Sequence, residues 1–247
     1  MEPYRDPGMQ AGTITALTVQ RHQPTRVSVF LDGAFAFGIA QELVREWELG
    51  VGRCLRVEDQ VRLRAADQLL AAQVAALHYL AARPRTVHEV WQKLRRSGVT
   101  DQVAEQVIVR LQARGALDDT AYVHAYLPSR LASRGYGPQR LRRELQQRGI
   151  GRALVEEAVQ QDLAVEDVLA AARRQAAKRW PRLARGTDRV ARRQKLWAFL
   201  CRRGFPTAIV QQVLTETMED AAAAEEADPL TSSASRSDLS PSPRETG

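Results

Sequence analysis

The chain has 247 residues, 44% of them hydrophobic and 26% charged, so it is long enough for one or two domains or an extended array and apolar enough to build a core. It holds no run of about 18 apolar residues, which excludes a membrane-spanning helix, and its two cysteines, Cys54 and Cys201, lie far apart without a Cys-x-x-Cys pair, which speaks against a disulfide framework or zinc site. The net charge of +7 is uneven: residues 121–205 carry 19 Lys and Arg against 7 Asp and Glu, and residues 206–247 carry 2 against 8, a pattern that points to an anionic partner for the middle of the chain.

Residues 1–12 read as a disordered N-terminus without an apolar signal core, so a cytoplasmic protein is expected. Strand-like segments follow at Thr13–Gln20, Arg26–Leu31 and Ala34–Ile39. Asp32-Gly33 between the last two suits a type I′ hairpin, since both central residues need positive φ. A regular register from that turn sets Phe30 opposite Phe35 and Ser28 opposite Phe37, with three rings on one face and Val29, Leu31, Ala34 and Ala36 on the other. A short helix, Gln41–Trp47, completes this small meander over residues 13–56.

From Val57 the pattern is helical, with Leu63, Leu70, Val74, Leu77 and Leu80 assigned to one side and an end before Pro84. Thr86 and Glu89 form a capping box for the next helix, and Thr100 is placed to cap the one after, which stops at Gly115. Asp118 and Asp119 precede a helix that contains Tyr122, Tyr126 and Pro128; neighbouring carboxylates there act as helix-cap and dipole partners. Gly135-Tyr136-Gly137-Pro138 makes a tight corner with Pro138 at N1. A helix from Val165 is expected to end at Pro181, the next to start at Gly186-Thr187-Asp188, and the last to start at Pro206 and fade near Asp220. Residues 221–247 lack periodicity and read as a disordered acidic Ser/Pro tail able to compete with DNA for the basic block.

One cassette recurs three times. An aliphatic residue (Val90, Leu141, Leu196) is followed after four positions by Leu (Leu94, Leu145, Leu200) and after four more by Gly (Gly98, Gly149, Gly204). Apolar residues stand directly after the Gly (Val99, Ile150, Phe205), then four (Val103, Leu154, Ile209) and eight positions later (Val107, Ala158, Val213). Residues four apart share a helix face, and Gly past the last Leu supplies a left-handed helix end. Each cassette is therefore helix, corner, helix. With one further helix per copy, the chain is predicted to be mainly α: a tandem array of three three-helix repeats, elongated and curved, with a small N-terminal β-hairpin or meander. The repeats span residues 57–116, 117–164 and 165–220.

Catalytic motifs are absent: there is no phosphate-binding Gly loop, no Gly-x-Ser-x-Gly and no His-Glu-x-x-His. His22, His78, His88 and His124 have no Cys or acid at ligand spacing, so no metal or cofactor is expected. Trp91, Trp197, Tyr136 and Phe205 are candidates for stacking on bases, with Tyr136 favoured by its corner among arginines. Positions that differ between copies are where a binding surface is expected: Arg130, Arg134, Tyr136, Arg140, Arg142, Arg143, Arg148, Arg173, Arg174, Lys178, Arg179, Arg189, Arg192 and Arg193.

The cassettes, together with Leu31-Asp32-Gly33-Ala34-Phe35-Ala36-Phe37-Gly38-Ile39, resemble the regulatory RecX family, modulators of the RecA recombinase. The specific positions are Arg83-Pro84-Arg85-Thr86, Glu89-Val90, Lys93-Leu94, Gly98, Leu111, Gly115, Leu117-Asp118-Asp119, Arg130, Gly135, Gly137-Pro138, Leu141, Glu144-Leu145 and Gly149-Ile150. Thr86, Val90 and Val123 stand where the family usually has Ser, Leu and Ala, and Pro128 and the long acidic tail are peculiar to this chain. The resemblance covers residues 13–215 and implies a non-enzymatic monomer. Such a protein lies in the groove of the RecA filament on single-stranded DNA, bridges protomers, lowers ATPase and strand exchange, and blocks filament growth. The alternative is a stand-alone basic DNA-binding helical-repeat module.

Overall fold

A computed structural model describes residues 10–183 and 188–227. The expectations for residues 1–9, for Gly186-Thr187 and for residues 228–247 lie outside the described residues. The chain divides into two compact units, Met1–Tyr122 and Val123–Gly247. No described helix is long and apolar enough to cross a membrane.

The first unit begins with strands β1 (Gly12–Gln20), β2 (Gln23–Leu31) and β3 (Ala34–Ala40), helix α1 (Gln41–Glu46) and the two-residue strand β4 (Cys54–Leu55). They form one sheet in the order β3-β2-β1-β4, with the three recorded strand pairs antiparallel. The hairpin turn is as expected, with Asp32 at φ 49° and Gly33 at φ 85°. The regular register is not. Phe30 pairs Phe35 and Leu31 pairs Ala34, but an irregularity follows, and beyond it Val29 pairs Phe37, Ser28 pairs Gly38 and Val27 pairs Ile39.

Parity explains the shift. Opposite residues share a face, so a two-residue turn between Leu31 and Ala34 would set odd positions of β2 against even positions of β3. The apolar residues that need burial are Val27, Val29 and Leu31 on β2 and Phe37 and Ile39 on β3, all odd. One extra residue in β3 brings the two sets to the same face, where all five are buried. Phe35, on the turn side of the bulge, is left 60% exposed and meets Phe30 edge-on at 5.8 Å.

Helices α2 (Val57–Ala82), α3 (Val87–Arg96) and α4 (Asp101–Ala113) make the first repeat. α2 serves two cores. Leu63, with Ala66 and Leu70, packs on the sheet; Ala72 and Ala76, with Leu69, Tyr79 and Leu80, pack on α3 and α4. At about 100° per residue the buried stripe shifts by roughly a third of a turn between the two halves. Val74 and Leu77 continue the first stripe beyond the sheet, which leaves them 46% and 41% exposed, while Leu80 packs on the second core, so the five residues assigned to one side divide between two. Asp67 ties α2 to β3, accepting hydrogen bonds from the Ala40 N–H at 2.8 Å and the Arg26 guanidinium at 2.8 Å.

The Thr86–Glu89 capping box is present, Thr86 Oγ1 accepting from Glu89 N–H and Glu89 Oε2 from Thr86 N–H, each at 3.2 Å. Thr100 is the N-cap of α4, but its side chain makes no capping bond. Asp118 Oδ1 caps the next helix, accepting from Thr120 N–H and Ala121 N–H. Asp119 instead accepts from Val87 N–H, the first amide of α3, at 2.9 Å, and burial raises its pKa.

The remaining helices are α5 (Asp119–Arg134), α6 (Pro138–Gln147), α7 (Arg152–Asp162), α8 (Val165–Leu183), α9 (Arg189–Arg202) and α10 (Thr207–Ala227). Two expected ends move. α8 continues through Pro181 to Leu183, because a proline that near the helix end removes only one of the final bonds. α10 runs to Ala227 rather than fading at Asp220; Ala221–Ala224 and the two glutamates after them favour helix even without an apolar stripe.

The cassette has the same geometry in all three copies. Its first two residues are fully buried each time, and its Gly has φ of 83°, 81° and 87° at Gly98, Gly149 and Gly204. The amide after the Gly donates to the carbonyl of the cassette Leu: Val99 to Leu94 and Ile150 to Leu145 at 3.1 Å, Phe205 to Leu200 at 3.3 Å. The Gly amide donates to the next carbonyl along, which completes the paired bonds of a Schellman helix end.

Candidate nucleic-acid interface

In the second unit the third cassette corner, at Gly204, meets the Gly135-Tyr136-Gly137-Pro138 corner. The Gly137 N–H donates to the Arg203 carbonyl at 2.8 Å, and the Gln139 N–H donates to the Gly204 carbonyl at 3.0 Å. The approach is close enough that a Cβ on Gly137 would lie 2.4 Å from the Gly204 carbonyl, and one on Gly204 would lie 2.3 Å from the Arg140 nitrogen. Glycine at both positions is what lets repeats two and three share backbone hydrogen bonds.

Around this joint cations and rings alternate. The Arg140 guanidinium sits 3.6 Å from the Tyr136 ring centre, with Arg203 at 5.8 Å from the same ring. Arg203 also lies 5.0 Å from Phe199, and Arg179 lies 5.4 Å from Phe199. Arg192 stands 4.1 Å from Trp180. Arg203 further donates to the Arg134 carbonyl at the end of α5. These contacts hold arginine planes at fixed positions, and a ring, unlike a carboxylate, does not neutralise the charge it steadies.

Tyr136 is therefore not a free stacking platform, since Arg140 already lies on its ring. Phe205 is a core residue, 1% exposed. Trp91 is half-buried, stacked on His88 and approached by Arg95 at 5.0 Å. Trp197, the fourth candidate, is half-buried on α9 and, like Phe205, makes no ring or cation contact among the described residues.

The predicted basic residues fall into two sets. One set is tied down. Arg130 and Arg148 flank the Tyr126 ring at 5.0 and 5.3 Å. Arg140 bonds Glu144 at 2.9 Å, and Tyr126 donates to that same carboxylate at 2.8 Å; burial and this bond raise the Tyr126 pKa. Arg142 pairs with Glu156 at 2.8 Å. Arg173 grips Glu216 through two bonds of 2.8 and 2.6 Å, which raises the arginine's pKa and lowers the glutamate's. Arg179 and Arg192 lie against rings.

The other set keeps its charge toward solvent. Arg134, Arg174, Lys178 and Arg193 are exposed and pair with no carboxylate among the described residues. Arg143 and Arg189 are exposed and, among the described residues, bond carbonyl oxygens and no carboxylate, those of Gln139 at 3.3 Å and Met218 at 3.1 Å. Arg203 is the residue that sequence reasoning missed. Its signal was its place immediately before the third cassette glycine, where any side chain is carried into the joint.

Other chemistry is sparse. Among the described residues no three His, Cys, Asp or Glu side chains group to hold a metal ion. Both cysteines are free, and burial raises the Cys201 thiol pKa. One histidine departs from the sequence reading: His124 Nδ1 lies 2.7 Å from Asp162, a partner 38 residues away on α7.

Four family models match the chain in order. The regulatory protein RecX N-terminal domain covers residues 12–55, and the first, second and third RecX three-helix domains cover 72–111, 118–159 and 166–214. The chain belongs to the RecX family. A regulatory protein RecX from Bacillus licheniformis is 29% identical over 204 residues, 83% of this chain and 77% of that one. Another, from Leuconostoc citreum, is 32% identical over 147 residues, 60% of this chain and 55% of its own length. A crystal structure of regulatory protein RecX superposes with a TM-score of 0.68 at 26% identity, covering 82% of this chain and 98% of that one. The RecX three-helix domains coincide with the cassettes: each model contains one cassette glycine at its middle corner.

Proposed function

We propose that this RecX-family chain is a non-enzymatic cytoplasmic regulator that acts as a monomer on the RecA filament assembled on single-stranded DNA. It lies in the filament groove, lowers ATPase and strand exchange, and limits filament growth. The observation that carries the DNA side of this reading is the set of exposed cations of the second unit, Arg134, Arg143, Arg174, Lys178 and Arg193, beside the arginines that the same unit holds against rings. Such a surface suits phosphates and not base edges, so recognition is independent of DNA sequence. The site residues named above, from Arg130 to Arg193, are its contact set, with Arg203 added.

The decisive measurement is DNA-dependent ATP hydrolysis by RecA from the same organism, with and without this protein. Inhibition up to a one-to-one ratio is expected. Unchanged hydrolysis at every ratio, with DNA binding intact, would leave the stand-alone DNA-binding module as the better reading.

Glu216 is a built-in competitor for phosphate, because its carboxylate occupies Arg173 and Gln212 steadies it at 3.1 Å. Glu216→Gln releases one cation. The slope of log affinity for single-stranded DNA against log salt should steepen by about 0.7, the share of one phosphate contact. Fluorescence anisotropy over a salt series reads this directly, and an unaltered slope would show that Arg173 does not face DNA.

A further inference from the structure

The first unit carries a groove that the DNA-facing surface does not use. It has a volume of about 1090 Å³ and is bounded by α1, the end of β3, α2 and α3. One wall is the middle of α2, Leu70, Ala71, Val74 and Ala75, where the apolar stripe that leaves the sheet core continues without a covering element among the described residues. Exposed cations stand on two sides, Arg45 from α1 and Lys93 from α3, and the exposed His78 of α2 lies between them in sequence. Of the two acids at the rim, Asp67 is consumed by Arg26 and the Ala40 amide, which leaves Glu42.

We propose that this groove docks an amphipathic helix of a partner protein, one whose apolar ridge is flanked by carboxylates. The apolar wall calls for apolar side chains, and the small residues Ala71 and Ala75, one helical turn apart, allow a helix axis to come close. The rim cations fit carboxylates on either side of that ridge. A strand is the poorer occupant because the neighbouring edge of β3 is already closed. The Gly38 carbonyl accepts from Arg26 at 2.8 Å, the Ala36 carbonyl from Arg64 at 3.3 Å, and the Ala40 amide is held by Asp67. This site is distinct from the basic residues of the second unit and does not depend on the RecA reading.

The test uses the full chain and two fluorescein-labelled model peptides. Each is an amphipathic helix with Leu at i, i+4, i+7 and i+11, flanked by Glu in one and by Lys in the other. Anisotropy should show the Glu peptide binding and the Lys peptide not. Val74→Glu, a substitution at an exposed helix position, should weaken the Glu peptide by roughly tenfold or more. Lys93→Glu should shift preference toward the Lys peptide. Circular dichroism and sedimentation check that each variant stays folded and in its original state of association. Equal binding of both peptides, no binding of either, or Glu-peptide binding that survives both substitutions overturns the proposal. Self-association of the wild-type chain that Val74→Glu abolishes would also overturn it, by making a second copy the occupant.

Discussion

Replacing Gly204 by Ala is expected to cost about 2–5 kcal/mol, well beyond the same substitution at the equivalent Gly98. Both glycines end a cassette helix with φ above 80°, where a side chain costs about 1–2 kcal/mol. At Gly98 that is the whole cost, because a Cβ there meets nothing within 4 Å. At Gly204 the Cβ would lie 2.3 Å from the Arg140 nitrogen, a backbone atom that cannot swing aside, and moving it adds about 1–3 kcal/mol. Gly137→Ala separates the two causes: φ of −78° suits any residue, so its cost comes from contact with the Gly204–Phe205 backbone. Urea unfolding of the full chain, with hydrogen exchange followed in α6 and α9, measures all three. Equal costs at Gly98 and Gly204 would mean that the two corners do not touch.

Reversing two exposed cations on α8 should have the largest effect on DNA binding. If Arg134, Arg174, Lys178 and Arg193 each reach one phosphate of a single strand, the logarithmic salt slope is about −2.8, and affinity falls roughly 50-fold between 50 and 200 mM salt. Arg174→Glu with Lys178→Glu removes two contacts, which reduces the slope to about −1.4 and the fall to roughly 7-fold. Both side chains are exposed and one helical turn apart, so the fold should be untouched. A double variant with the wild-type slope would place the DNA elsewhere.

The cassette could be read from sequence because every part of it is local: burial at four-residue spacing, then a glycine where only a left-handed residue closes the helix. The paired acids Asp118 and Asp119 were legible as capping groups for the same reason, although the reach of Asp119 to α3 was not. What escaped is what depends on distant partners. The bulge in β3 follows from a conflict between the turn's parity and the core's, visible only once the buried face is known. Leu63 and Leu80 were read as one side because one helix was given one face, whereas α2 packs on two bodies with different faces. The basic block was legible as charge, but its division into held and open cations depends in part on Glu156 and Glu216, which lie 14 and 43 residues from their partners.

The double duty of α2 also bears on how the first unit comes apart. A single uninterrupted helix forms a wall of both the sheet core and the three-helix core, so fraying it at Leu63 opens one and fraying it at Ala76 opens the other. Neither core can be lost while the helix keeps its full length of partners. The amides at the centre of α2, flanked by both cores, are therefore expected to exchange with solvent only when both have opened, and those nearer either end when the adjoining core alone opens.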